Sequence, residues 1–497
     1  MLTVMRRVAG WIDSRPGGTV ERWLFALVVL FVWGLNTHGN YAGSGDEPHY
    51  QVIARSLVSD GDFDLADDYS DPASLVGGGT LQPEAHARAG RDGRLRPVHD
   101  IGLPVLFAPC FAAAYWVAEH SPEWISPGVM ARARLNPPLL LRHLLSLAMI
   151  ALTAMMAVLL FRACRPACGS HSPAFAWVLL FVLSPPLLSH SFLFFTEIPT
   201  ALGVTICWLA LAAPFPHTRV GAAFIGAVVG FLLLLHIRNV GLVLGLAALF
   251  AARIWPIDRR ASLAGWFLGP VALFAALRTA VNVAFWGSLI TGPHASAALP
   301  AGLWQATTEI ASRVFGLLID QEHGLLAYAP VYLVVLPGFL FLQRDDRKRF
   351  REAVVLLLAY LVPVVLPGLN RHGWAGGWSP AARFLVPVAP VLVIVGFEYA
   401  SRLRRVPVAI ALLCLVQVAL NLLYWSRPKL LWNAGTGRSA LFAFLSPAGF
   451  DIAAWWPSWH LPSLYGATVS LCVVVAWIVL SARAAVRAAA SSAAVAP

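Results

Sequence analysis

Charge is scarce in this sequence. Asp, Glu, Lys and Arg make up 12% of its 497 residues, against roughly 25% in an ordinary soluble domain. A larger core does not account for the deficit, because a surface that faces water still needs polar cover. With 58% hydrophobic residues and a mean hydropathy of +0.70, lipid is the solvent for most of this surface. Lysine is nearly absent, with Lys348 and Lys429 alone. Of the six cysteines, Cys110, Cys207, Cys414 and Cys472 lie in apolar runs and read as small core residues. Cys164 and Cys168 flank a short loop without zinc spacing, and no pair forces a disulfide. There is no nucleophile elbow, no His-Glu-x-x-His and no paired CxxC, which removes serine hydrolases, zincins and zinc ribbons as motif-based readings. No cleavable signal is expected, since the first apolar run ends at Gly34 and Asn36 without a small-residue cleavage site.

The net charge is +11, but its distribution argues against nucleic acid. The basic residues form short clusters between apolar runs: Arg6, Arg7, Arg15 and Arg22; Arg253, Arg259 and Arg260; Arg344 to Arg351; Arg402, Arg404 and Arg405; Arg483 and Arg487. That is the positive-inside pattern. Runs long enough to cross a bilayer, or nearly so, are 22–36, 102–119, 138–161, 174–192, 198–214, 219–236, 239–252, 262–285, 326–342, 352–368, 383–400, 406–425 and 463–481. The expected fold is therefore an all-α polytopic membrane protein of about 11–13 transmembrane helices. Its transmembrane domain covers 1–482, residues 37–101 form an extended first outer loop, and 483–497 form a short cytoplasmic tail. Counting crossings by arginine placement is consistent from Glu197 to the end. Between 40 and 197 three runs give the wrong parity, and 102–119 is expected not to cross fully.

The first outer loop holds 11 of the 25 acidic residues. Its sharpest stretch is Gly45-Asp46-Glu47-Pro48-His49-Tyr50. Adjacent carboxylates at the mouth of a membrane helix are costly and are usually functional. Such a group can take a proton from an acceptor hydroxyl or hold a divalent metal; a solvated acidic loop is the plainer alternative. For Asp60 to Asp71 the plainer alternative is the stronger. Between Glu47 and Leu57 the apolar spacing predicts a short interfacial helix. Gly77-Gly78-Gly79 reads as a flexible turn, with no following lysine to make a phosphate loop. His99-Asp100 closes the loop.

Further polar positions sit between apolar runs. Glu197, in Phe195-Thr196-Glu197-Ile198-Pro199, is either a helix N-terminal carboxylate or a functional acid on the same face as Asp46. Arg238, in His236-Ile237-Arg238-Asn239, wants an anion: one of these acids, or a phosphate it can hold bidentately. Asp320-Gln321-Glu322-His323 and Asn370-Arg371-His372-Gly373-Trp374 with Trp378 and Arg383 fall on the outer face. There, tryptophans serve as interface anchors or as sugar platforms. Arg383 opens an apolar run from the outside, where the positive-inside pattern disfavours it and a bound anion or paired acid is expected.

The layout, with an Asp-Glu motif in the first outer loop, resembles the GT-C superfamily of membrane glycosyltransferases. The resemblance is to bacterial relatives of the protein O-mannosyltransferases and of the lipid A aminoarabinose transferase. Asp46-Glu47-x-His49-Tyr50 is similar to the O-mannosyltransferase motif. Thr196-Glu197-Ile198-Pro199 looks like the second acidic position, and Ala382-Arg383-Phe384 resembles a later Arg-aromatic motif. The chain departs from the aminoarabinose transferases in having no lysine in the first loop, near where His99 stands. The resemblance implies a polyprenyl-phosphate sugar as donor, a lipid, glycan or protein acceptor, and transfer with inversion on the outer face of a bacterial inner membrane. It further implies Asp46 as general base with Glu47 sharing or orienting. Arg238 and Arg383 would hold the departing phosphate, and Glu197 would orient acceptor or sugar. His49, Tyr50, His99, Asp100, Asp320, Glu322, His323, Arg371 and Trp378 are further candidates for binding substrate. No metal is required; a divalent cation between Asp46 and Glu197 is possible. A transporter of a lipid-linked sugar, or a surface-polysaccharide polymerase or ligase, are the competing readings; the transporter is disfavoured because the acids sit at helix ends rather than at the bilayer midplane.

Overall fold

A computed structural model describes residues 2–35, 45–76, 81–289, 302–366, 374–377, 379–403, 407–433, 435–459 and 464–493. Arg371, Trp378 and Gly77 to Gly79 lie outside the described residues. The chain is helical almost throughout; among the described residues the one sheet is a hairpin of Ala87–Ala89 against Leu95–Pro97. Among the described residues six helices are long and apolar enough to cross a membrane: Gly102–Trp124, Pro137–Ala167, Ile237–Ile254, Arg260–Trp286, Arg383–Ser401 and Val408–Ser426. Shorter apolar helices cover Ser172–Val182, Glu197–Ala212, Arg219–Leu235 and Leu471–Arg483. Arg260–Trp286 turns Trp266, Leu268, Leu273 and Leu277 outward, and Val408–Ser426 does the same with Leu412, Leu415, Leu422 and Trp425. Apolar surface of that extent is stable only against lipid or protein. The chain is a multi-pass membrane protein.

It folds as two compact units built from interleaved segments. One comprises 41–150 and 192–299. In it Arg219–Leu235 lies along Arg260–Trp286, and the approach is close because Gly226 carries no side chain. A Cβ there would stand 2.2 Å from the Phe267 carbonyl oxygen. Gly102 does the same for the helix Gly102–Trp124, whose first turn rests on the end of Arg219–Leu235; a Cβ at Gly102 would lie 2.3 Å from the Leu234 carbonyl. Gly102→Val is therefore expected to force the two helices apart, at a cost of about 1–3 kcal/mol or more. A thermal unfolding midpoint in detergent checks it, and an unchanged midpoint contradicts the contact.

The other unit comprises 1–40, 151–191 and 300–497. Val335–Asp345 packs between Ala389–Ser401 and Leu464–Ala493. The Trp177 indole donates to the Val393 carbonyl at 3.0 Å, and Trp477 donates to Leu333 at 2.7 Å. Such bonds satisfy a polar tip inside an apolar core.

Two details differ from the sequence expectation. The run 102–119, expected to fall short of a crossing, continues as a 23-residue helix to Trp124. At 1.5 Å per residue it reaches about 34 Å, enough to span; Glu119 and Glu123 in its last turns had truncated the apolar run. The acidic stretch 60–71 is not simply solvated. Arg55 bridges Asp68 at 3.1 Å and Asp71 at 2.7 Å, and Asp68 is buried.

Candidate functional site

Asp46 opens the predicted first-loop helix, which runs Glu47–Ser59 with Pro48 in its first turn. Its main-chain carbonyl accepts the Tyr50 amide at 3.1 Å, but its carboxylate makes no capping bond. The hairpin brings two imidazoles to that carboxylate. Pairing of Ala87 with Pro97 sets His86 opposite Val98, whose amide donates to the His86 carbonyl at 3.0 Å. His99 follows at the hairpin's end. His86 Nδ1 lies 2.8 Å from His99 Nε2 and 3.9 Å from Asp46 Oδ1. Asp46, His86 and His99 offer three ligand atoms, all within 4.8 Å of one another, and all three residues are half-buried.

A second layer supports this cluster. The His49 ring stacks on His86 with centroids 3.6 Å apart, and its Nδ1 lies 2.7 Å from the Tyr69 hydroxyl. Burial, with His86 and His99 beside it, pushes the His49 imidazole down to about 3, so it is neutral at physiological pH. The Tyr50 ring lies against His99 at 4.8 Å.

Glu47 points inward. It is 2% exposed, and its Oε1 accepts the Phe194 amide at 2.8 Å. The other oxygen is buried without a hydrogen-bond partner. Burial pushes this carboxyl up to about 8, against the Phe194 amide and the Arg142 charge, which act the other way. The Glu47 bond ties the first loop to the segment that carries Thr196 and Glu197. Glu197 is likewise buried, opens the helix Glu197–Ala212 and lies 3.4 Å from the Thr196 hydroxyl.

The raised Glu47 value has a sign. Between about 4.5 and about 8 the folded protein holds a proton that the unfolded chain has released. Stability from this group is thus complete at low pH and is lost as pH rises through that window, by up to about 1.4 kcal/mol per unit. Glu47→Gln is expected to flatten this decline in a series of unfolding midpoints from acid to mildly alkaline pH. An unaltered slope contradicts the buried neutral carboxyl.

Asp100 lies within electrostatic reach of Arg238, and its carboxylate has a partner that the sequence reading did not foresee. Arg278, inside the apolar helix Arg260–Trp286, bonds the Asp100 carboxylate and the Leu233 carbonyl, the latter at 2.8 Å. The Ile237 amide donates to Asp100 at 2.9 Å, and His236 Nδ1 lies 3.9 Å away. Burial raises the Asp100 carboxyl, while Arg278, the Ile237 amide and Arg238 oppose the rise. The group is a clasp between the end of the first loop and the turn at 236–239.

In the other unit, Asp320, Glu322 and His323 form a buried turn. The Asp320 carboxylate accepts the Glu322 and His323 amides at 2.8 Å and the Trp459 amide at 2.9 Å. Glu322 accepts the Gly437 amide at 2.5 Å and the Thr436 amide at 3.2 Å. These carboxylates stitch the turn to residues 436–459. The His323 carbonyl accepts the Ala382 amide at 2.9 Å, and its ring meets Trp374 edge-on at 5.8 Å. Arg383 is 6% exposed and donates to the Gly376 carbonyl at 3.3 Å. Ala382 before it sits at φ +56°, a conformation that costs a non-glycine residue about 1 kcal/mol and gathers at functional sites.

Sequence reasoning missed His86 and Arg278. Nothing local marks His86, whereas an arginine within an apolar run is itself a signal of a buried partner.

No family model matches the chain, and no curated protein matches it. Among solved structures it is similar to a crystal structure of the Archaeoglobus fulgidus oligosaccharyltransferase complex with Zn and sulfate, at 13% identity and a TM-score of 0.42, over 82% of this chain and 53% of that one. It is also similar to archaeal oligosaccharyltransferase AglB from Archaeoglobus fulgidus in complex with an inhibitory peptide and a dolichol-phosphate, at 13% identity and a TM-score of 0.38, over 95% and 56%. The chain spans about half the length of those proteins.

Proposed function

We propose that this protein is a membrane glycosyltransferase of the bacterial inner membrane. It moves a hexosyl or pentosyl group from a polyprenyl-phosphate donor to a hydroxyl of a lipid, glycan or protein on the outer face. The observation that carries the reading is Asp46: a carboxylate at the start of a mostly buried loop helix that does not cap its own helix and stands beside His86 and His99. Asp46 takes the acceptor hydroxyl proton. The acceptor oxygen bonds to the anomeric carbon as the bond from that carbon to the phosphate oxygen breaks, and the phosphate leaves with the electron pair on the opposite face, which inverts the centre. Glu47 is a positioning residue in this scheme, fixing the Asp46 turn against Phe194. Glu197 orients the acceptor or the sugar, and a divalent cation beside Asp46 is compatible with the step. Residues 1–482 act as a single transferase domain.

Carboxylates and imidazoles gathered at helix ends and in a loop favour bond chemistry over transport, which usually sets its polar groups in broken helices at the bilayer midplane. The test is release of labelled sugar from polyprenyl-phosphate sugars by the purified protein. Donor that crosses the bilayer but is never cleaved moves the assignment to a transporter.

A further inference from the structure

The geometry points to a transition-metal site at Asp46, His86 and His99, one that takes a Zn2+-class ion rather than Mg2+ or Ca2+. This deepens the transferase reading at the same site, although the ion itself can be tested without any sugar.

Zinc bonds imidazole nitrogen and carboxylate oxygen at about 2.0–2.2 Å, so two ligands of one tetrahedral ion stand about 3.3 Å apart. The His86 and His99 nitrogens are at 2.8 Å and the His86 nitrogen and Asp46 oxygen at 3.9 Å, on either side of that value. The third pair, Asp46 and His99, is bounded only by the 4.8 Å limit, so closing all three onto one ion asks for side-chain shifts of about 1 Å, within rotamer relaxation. A proton shared between the two imidazoles would also draw the Asp46 carboxylate, as the 3.9 Å contact with His86 allows; metal titration separates ion from proton.

The ligand set then selects the ion. Two imidazoles and one carboxylate, with positions left over for solvent or substrate, suit zinc, cobalt, iron or manganese. Calcium and magnesium are hard ions that prefer all-oxygen shells. The supports have the character of an outer shell that holds ligand rings in place: the His49 ring lies flat on His86, and Tyr50 packs on His99. The hairpin register fixes the two imidazoles relative to each other, and half-burial of the three residues leaves a path for an ion. A monodentate Asp46 keeps its second oxygen, so holding the ion and accepting a proton are compatible.

The experiment uses the full-length protein in detergent, stripped with EDTA, dialysed and titrated with Co2+, whose visible absorption reports nitrogen and oxygen ligation. The wild type is expected to develop the band to an equimolar end point, and Zn2+ to abolish it competitively. His86→Ala and His99→Gln are each expected to weaken binding by at least about tenfold, with thermal unfolding of the stripped proteins unchanged. The glutamine variant keeps the bulk of the ring position if the alanine variant fails to fold. No band in the wild type overturns the proposal. So does a band that survives in the His86→Ala/His99→Gln double variant, which means an adventitious ion only. Full transfer by protein shown to be metal-free removes the ion from the reaction; a bound ion in a protein that never cleaves donor leaves the site standing and sinks the transferase reading.

Discussion

Replacing Asp46 with asparagine is expected to lower sugar transfer by about 10²- to 10⁴-fold, the usual contribution of a positioned general base, while the protein inserts and unfolds as the wild type does. The second half of that expectation follows from what asparagine keeps. The helix Glu47–Ser59 starts without a side-chain cap from Asp46, and the Tyr50 amide bonds the Asp46 main chain, which asparagine keeps. The side chain is 23% exposed, and its contact with His86 is long at 3.9 Å. Asparagine fills the same volume but cannot take a proton. Initial rates with labelled donor, beside unfolding midpoints, separate the two effects. A variant that transfers at the wild-type rate contradicts the base assignment, and one that unfolds early makes Asp46 structural.

Arg278→Ala is expected to act in the opposite way, costing about 3–5 kcal/mol of stability through a buried carboxylate stripped of the cation that bonds it directly. Arg278 and Asp100 are 15% and 18% exposed, so solvent does little to replace the lost partner. The Ile237 amide remains on Asp100, but a neutral donor does not balance a charge in this setting. Adding Asp100→Asn to Arg278→Ala is expected to recover part of the loss, since the uncompensated charge then disappears. Thermal unfolding of the two single variants and the double variant closes the cycle. Additive losses mean that the two side chains do not act on each other, against the clasp.

Much of this architecture was legible because lipid leaves a plain mark. Leu-rich runs such as Val408–Ser426 announce themselves by composition, and the spacing of Tyr50, Val52, Ile53, Ser56 and Leu57 placed the first-loop helix where it is found. Asp46 was legible as a costly charge beside a membrane helix. His86 was not, because its role depends on strand register: Ala87 must face Pro97 before His86 and His99 can meet. Arg278 stood out as a charge inside an apolar run, but nothing in that run names Asp100 as its partner. Asp320 and Glu322 were visible as acids in an apolar setting, but beside the local Glu322 and His323 amides they accept amides from Trp459, Thr436 and Gly437, more than a hundred residues away. The purpose of a buried carboxylate is set by its donors, and no local pattern names them.

The central claim is that this protein breaks the bond between a sugar and a lipid phosphate. Purified protein in liposomes carrying radiolabelled polyprenyl-phosphate sugars, with acceptor extract outside, tests it most directly. The account predicts labelled sugar leaving the lipid in wild-type vesicles and staying on it with Asp46→Asn. Sugar that stays on the lipid in both, or leaves it equally in both, contradicts it.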